Sequence, residues 1–197
     1  MNPLPAFEAR TARTHLRPLA EGDRAEFLRA FRESAAHFAP WVPRRPPGET
    51  LDEFFTLQLN RARDGLERGA DVRLGAFLED GTLAGTFALN QIFRGPMQGA
   101  YAGWSVCVGC IGRGLATEGV NALLDLAFAP SPRGVGLHRV QANVVPRNAP
   151  SLRVAEKCGF RREGLAVKYL EIAGVWEDHV MFGKVAEEHG VQESERR

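Results

Sequence analysis

The stretch GWSVCVGCIGRGLATE, residues 103–118, decides the fold. It begins as a candidate strand with Trp104, Val106 and Val108, becomes glycine-rich, and then enters a helix. The apolar residues of that helix recur at helical spacing: Ala116, Val120, Leu123, Leu124, Ala127 and Phe128. The first turn of a helix has unpaired N–H groups and partial positive charge, and glycine lets a phosphate approach the backbone. The stretch therefore predicts a turn that binds the pyrophosphate of a cofactor.

The turn on its own leaves a second interpretation open. A dinucleotide-binding fingerprint would need a third glycine where Thr117 stands, and a P-loop would need Gly-Lys-Ser or Gly-Lys-Thr. The residues alone fit a glycine-rich connection without a ligand equally well.

Composition excludes several classes of protein. The chain has 197 residues, of which 44% are hydrophobic and 25% charged, as expected for a globular protein with one core. The net charge of +1 gives no basic excess, so we expect no nucleic-acid partner. No apolar run approaches the roughly 18 residues of a membrane span, and charges interrupt the N-terminal residues, unlike a secretory signal. We therefore expect a cytoplasmic protein without a membrane partner.

Two of the three cysteines, Cys107 and Cys110, have the C-x-x-C spacing of redox and zinc sites. A structural zinc site would need a second pair of ligands, which the sequence lacks. A redox motif would normally begin a helix, whereas here the glycine turn intervenes. We expect neither role and no metal.

The rest of the chain predicts a mixed α/β protein. Thr50 and Glu53 form a capping box before a helix, Asp80-Gly81 marks a hairpin, and Asn148 caps a later helix. The predicted order is a strand at 14–19, two helices, the hairpin at 72–89, the central strand, turn and helix, a strand at 138–145, the helix after Asn148, and a hairpin at 167–185. This order predicts one domain over residues 1–197, with a core at about 14–185 and flexible ends at 1–13 and 186–197.

Four blocks of the sequence resemble the GNAT superfamily of acetyl-CoA-dependent N-acetyltransferases, in particular the RimJ/RimL type that acts on ribosomal-protein N-termini. The blocks are IGRGLA at 111–116, NAPS at 148–151 with EKCGFR at 156–161, GVWEDH at 174–179, and RESAAHFAPW at 32–41. The resemblance implies an α+β GNAT fold, with a central, mostly antiparallel twisted sheet flanked by helices and splayed between its fourth and fifth strands.

The resemblance also implies how acetyl-CoA is held. Backbone groups of Ser105, Val106 and Cys107 would bind the pantetheine arm, and Asn143 and Asn148 are candidate side-chain contacts. Backbone N–H groups from Ile111 through Gly112, Arg113, Gly114, Leu115 and Ala116 to Thr117 would bind the pyrophosphate. Relatives carry Arg or Gln where this chain has Ile111, so we expect the loop to act through its backbone.

Catalytic and acceptor residues are expected elsewhere. Ser151 lies in the first turn of its helix, where the dipole favours a thiolate, and is the proposed proton donor to departing coenzyme A. Ser34, His37 and Trp41 are assigned to acceptor recognition, although Trp41 fits packing under its loop equally well. Candidates for the base are Glu33, His37, Glu171 and Asp178, with a water relay as the alternative.

The expected activity is acetyl transfer from acetyl-CoA to a primary amine, with a protein N-terminal α-amine, such as that of a ribosomal protein, as the acceptor. The alternatives are acetylation of a small-molecule amine and a non-catalytic acetyl-CoA-binding regulatory domain. A homodimer is a further expectation from the resemblance.

Overall fold

The computed structural model describes residues 7–190, and the end segments 1–6 and 191–197 of the predicted flexible ends lie outside that range. An eight-stranded sheet of order β1-β2-β3-β4-β5-β6-β8-β7 forms the framework. Its strands are β1 Ala9–Arg10, β2 His15–Arg17, β3 Val72–Phe77, β4 Leu83–Phe93, β5 Gly99–Val106, β6 Arg139–Val144, β7 Arg161–Ile172 and β8 Val175–Val185. The helices are α1 Arg24–Glu33, α2 Ala35–Phe38, α3 Leu51–Glu67, α4 Leu115–Phe128 and α5 Ala149–Lys157.

Neighbouring strands are antiparallel except β5 and β6, which are parallel and pair only between residues 99–101 and 139–141. Beyond that point the two strands separate. We call this gap, between residues 102–106 and 142–144, the β5–β6 opening. The predicted mixed fold with a splayed sheet is confirmed; β5 and β6 are the fourth and fifth strands of the resemblance, because the short β1 was not predicted.

Helix α4 packs against the sheet at very close range. A Cβ atom on Gly119 would lie 2.3 Å from the Phe87 ring of β4, so only glycine fits there. Val120, Leu123, Leu124, Ala127 and Phe128 are completely buried in the main core, as the helical spacing predicts. This close contact fixes the start of α4 relative to β5.

A second core cluster lies under α1 and α3. Phe27 stacks on Phe31 at 4.0 Å and contacts Phe55 at 5.0 Å. Thr50 and Glu53 make both hydrogen bonds of the predicted capping box at the start of α3. Because strand side chains alternate, Thr86 and Ser105 face this cluster's side of the sheet, opposite to Phe87 and Trp104.

Parts of both predicted flexible ends are ordered. Residues 9–10 pair with β2, and Ala186–His189 forms a 3-10 helix in which His189 Nε2 lies 2.7 Å from Asp125 Oδ1. No helix within residues 7–190 has the length and apolar character needed to cross a membrane.

Candidate functional site

The glycine turn forms an open cradle at the start of α4. A 3-10 turn at Val108–Cys110 follows β5, and Gly112 and Gly114 adopt φ values of 73° and 77°, which glycine tolerates best. A Cβ on Gly112 would meet nothing within 4 Å. Within α4, Glu118 N–H donates to Gly114 O at 3.1 Å, so the N–H groups of residues 115–117 precede the helical hydrogen-bond pattern. The exposed Ile111 adds no polar side chain.

A long-range contact holds this cradle, and sequence reasoning missed it. Arg13, between β1 and β2, donates through Nε to Glu118 Oε2 at 2.8 Å and through Nη1 to the carbonyl of Arg113 at 2.7 Å. Thr11 also donates to Glu118. The partners are 100 or more residues apart in the chain, so no local sequence signal reveals them.

The three residues predicted to bind the pantetheine arm direct their polar groups to different sides of β5. The N–H of Cys107 donates to Ala84 O at 2.9 Å, so it is already used within the sheet. Successive residues of a strand direct their backbone N–H groups to opposite edges of the strand. Because the N–H of Cys107 points towards β4, the N–H of Val106 points towards the β5–β6 opening. Ser105 Oγ pairs with Thr86 Oγ1 at 2.8 Å on the side of α1 and α3.

At the start of α5, Asn148 and Ser151 have different roles. Asn148 Oδ1 accepts the N–H of Ser151 at 3.2 Å and caps the helix. The hydroxyl of Ser151 is half-buried and makes no hydrogen bond with any described residue. Ser151 therefore has a free proton donor at a helix N-terminus.

Asn143 lies on β6 beside the β5–β6 opening, in a polar cluster. Its Nδ2 donates to Tyr169 Oη at 3.1 Å, while its buried Oδ1 has no partner within residues 7–190. Burial raises the pKa of Tyr169, and Tyr101 raises it further, so this hydroxyl keeps its proton. The sequence did not predict a role for Tyr169, because a bulge in β7 between Ala166 and Leu170 breaks the strand alternation.

Ser34, His37 and Trp41 each contact a different neighbour. Ser34 is fully buried, and its Oγ accepts the N–H of Val108 at 3.0 Å, which ties α1 to the turn after β5. The His37 ring contacts Phe38 at 5.5 Å, and Arg147 stacks on Trp41 at 4.8 Å. The Ser34 contact is structural and the Trp41 contact is packing of its loop; an acceptor role for the three residues stays a prediction.

Two of the candidate bases already have partners within the described residues. Glu33 pairs with Arg29 at 2.7 Å, and Asp178 accepts the N–H of Lys168 at 2.8 Å in the β7 bulge. The three thiols are buried and unpaired, and burial raises the pKa of Cys107 to about 11. Such a thiol stays protonated near neutral pH, which disfavours redox chemistry, and no cluster of metal ligands occurs within the described part of the chain.

A cavity of about 1230 Å³ lies between the sheet and helices α1–α3. Its floor includes Thr86 and Ser105, and its roof includes the loop after α2 and Ala173 from the β7–β8 turn. The walls are mainly apolar, with Phe27, Phe31, Phe38 and Phe54 among them. The cavity therefore reaches β5 beside the opening, where an acceptor could meet a reacting group.

Comparisons with known proteins cover the cradle, the opening and the start of α5. A model of the acetyltransferase (GNAT) domain matches residues 13–161. "Probable N-acetyltransferase YjcK" of Bacillus subtilis is 37% identical over 171 residues, 84% of this chain and 90% of the relative. The Escherichia coli "[Ribosomal protein uS5]-alanine N-acetyltransferase" is 27% identical, with 90% of each chain covered. Mycobacterium smegmatis RimJ, solved in complex with CoA-disulfide, is 29% identical with a TM-score of 0.84, covering 95% of this chain and 91% of that one.

Proposed function

The chain belongs to the GNAT family of acetyltransferases, and we propose that its acceptor is the N-terminal α-amine of a protein. It is an acetyl-CoA-dependent N-acetyltransferase. The observation that carries the acceptor proposal is the cavity of about 1230 Å³ that reaches Ser105. Pockets for small molecules usually measure about 300–1,000 Å³, so this one has room for several residues of a peptide. The E. coli relative named for the alanine of protein uS5 supports the same acceptor.

The residues present fit acetyl-CoA. The cradle leaves open space over Gly112 and offers backbone N–H groups to a pyrophosphate. Val106 would hold the pantetheine arm through its backbone, and the unpartnered Oδ1 of Asn143 would accept an N–H from it. When bound, acetyl-CoA supplies an acetyl group activated as a thioester.

The transfer also needs a stabilised oxyanion, a proton for the leaving thiolate and a neutral amine. The backbone N–H of Val106, directed into the opening, would stabilise an oxyanion without help from a side chain. Ser151 holds a proton for a leaving thiolate. An α-amine has a pKa of about 7.7–8.0, roughly 2.5 units below that of a lysine side chain, so a useful fraction is neutral without a strong base and water can carry its proton away.

Acetyl transfer to matched acceptors tests the proposal. We expect a peptide of about eight residues that begins with alanine to be acetylated with a kcat/KM at least tenfold above those of free alanine and spermidine. The same peptide with its α-amine already blocked is the control and should show no turnover, even where it contains lysine. A higher kcat/KM for a small amine, or turnover of the blocked peptide, would overturn the assignment. A cytoplasmic location and a homodimer stay predictions of the same proposal.

A further inference from the structure

The charged residues of the large cavity are strongly unbalanced. Four arginines line it and only one carboxylate, Glu49: the arginines are Arg44, Arg45, Arg61 and Arg73. The protein as a whole carries a net charge of only +1, so this surplus is local to the cavity. A concave, mainly apolar wall around such charges strengthens their field on a ligand.

The arginines are not neutralised by the protein. Arg44, Arg45 and Arg61 form no ion pair with any residue in the range 7–190. Arg73 lies 3.9 Å from Asp71, at the limit of an ion pair, and its buried Nε has no partner among the described residues. Burial lowers the pKa of Arg73, as expected for a cation that lacks full compensation.

Glu49 does not cancel this charge. Its Oε2 is buried without a hydrogen-bond partner within the described residues, and Arg45 donates at 3.4 Å to its backbone carbonyl instead of its carboxylate. At most one of the four positive charges is therefore balanced from within the cavity.

Contacts across the cavity hold the arginine-bearing loop in place. Ala173 N–H donates to Val42 O at 3.2 Å, and the guanidinium of Arg44 lies against Gly174 at the same turn. Arg147 bridges this loop to β8, since it donates to Pro40 O at 3.0 Å and to Glu177 at 2.5 Å. The arginines therefore line a formed cavity.

We propose that the acceptor is an acidic N-terminal peptide, in which an apolar residue close to the α-amine is followed by carboxylates within the next few residues. The phenylalanine wall would receive the apolar side chain, and Arg44, Arg61 and Arg73 would pair with the carboxylates. A polyamine, or a peptide with lysines in those positions, meets like charge and is rejected. This inference rests on the proposed function and names the class of its substrate.

Three peptides of equal length test the charge requirement: Ala-Leu followed by aspartates, by asparagines or by lysines. We expect kcat/KM to fall by about three- to tenfold from the aspartate to the asparagine peptide, and further to the lysine peptide. Added salt should reduce kcat/KM for the aspartate peptide and leave the asparagine peptide unchanged.

Substitutions of single arginines test whether the charge preference comes from the cavity. Arg61→Gln and Arg44→Gln should each lower kcat/KM for the aspartate peptide about threefold or more relative to kcat/KM for the asparagine peptide, so that the preference of the enzyme for the aspartate peptide falls. Arg68→Gln removes the same charge from the exposed end of α3 outside the cavity, and should change neither.

Three outcomes would overturn all or part of this proposal. Equal kcat/KM values for the three peptides would overturn the charge inference and leave acetylation of N-termini intact. No turnover of any peptide, together with turnover of a small amine, would overturn both. Equal losses in Arg61→Gln and Arg68→Gln would show that overall charge, and not the cavity, attracts the peptide.

Discussion

At the scale of single residues, the first turn of α5 contains both a helix cap, Asn148, and the proposed proton donor, Ser151. Asn148 already caps the helix through its bond to the N–H of Ser151. The Ser151 hydroxyl makes no hydrogen bond among residues 7–190 and lies where the helix dipole favours a negative charge. Removing this hydroxyl should therefore affect chemistry without affecting the helix.

We predict that Ser151→Ala lowers kcat about tenfold or more, because a positioned proton donor accelerates departure of a thiolate. The KM for acetyl-CoA and the melting temperature should stay unchanged, since the cap is intact. Steady-state kinetics and thermal unfolding measure both. The comparison variant Asn148→Ala should instead lose about 1 kcal/mol of stability. An unchanged kcat in Ser151→Ala would rule out the donor role.

Residue roles were predictable from the sequence where they depend on near neighbours. The caps at Thr50 and Asn148 use groups three residues away, and both are present. The contact of Ser34 with Val108 and that of Tyr169 with Asn143 were not predicted, because these partners lie 74 and 26 residues away in the chain. Which partner such a residue meets depends on the complete fold.

At the scale of elements, the contact between α4 and β4 positions the cradle. Gly119 permits it, because any Cβ there would overlap the Phe87 ring at 2.3 Å. We predict that Gly119→Ala lowers the free energy of unfolding by about 1–3 kcal/mol, since the helix must shift or the ring must leave its place. Urea denaturation measures the loss.

A matched variant separates this overlap from the general effect of replacing glycine. Gly22 lies in the 3-10 helix before α1 without a positive φ, and a Cβ atom there would meet nothing within 4 Å. Gly22→Ala should be neutral or slightly stabilising, by less than about 1 kcal/mol. Equal losses in the two variants would contradict a steric role for Gly119.

Regular elements with clear ends were the easiest to predict. Helix α3 has a capping box and α4 has strong helical spacing, so the start of α3 and the apolar face of α4 were predicted correctly. Strand β1, with two residues, carries no measurable alternation, and β7 begins six residues before the predicted strand because bulges break its pattern. Its first half is held by pairing with β8, which the local sequence does not encode.

At the scale of the whole molecule, the N-terminal hairpin of β1 and β2 is held to the cradle by side-chain contacts. β1 and β2 extend the sheet at its edge, and the Thr11 and Arg13 side chains between them reach the first turn of α4. The carboxylate of Glu118 accepts from both. This contact orders Thr11 and Arg13, which lie in the end segment 1–13 that was predicted to be flexible.

The same contact should make stability depend on pH. Burial raises the pKa of Glu118, but hydrogen bonds from Thr11 and Arg13 outweigh it and leave the pKa below 4.5. A carboxyl whose pKa is lower in the folded state stabilises the protein above its unfolded pKa, and the contribution is lost as the pH falls through the folded pKa. The loss should therefore begin near pH 4.5 and increase towards lower pH.

We predict that Glu118→Gln lowers the free energy of unfolding by about 1–3 kcal/mol at neutral pH, because charged hydrogen bonds are replaced by weaker ones. The difference from the natural protein should shrink between about pH 5 and about pH 3, because protonation removes the same charge. Urea denaturation across this range measures it. Glu67→Gln, at the exposed end of α3, should keep the full pH dependence of the natural protein. A constant difference between Glu118→Gln and the natural protein over the range would mean that the carboxylate charge does not hold the hairpin to α4.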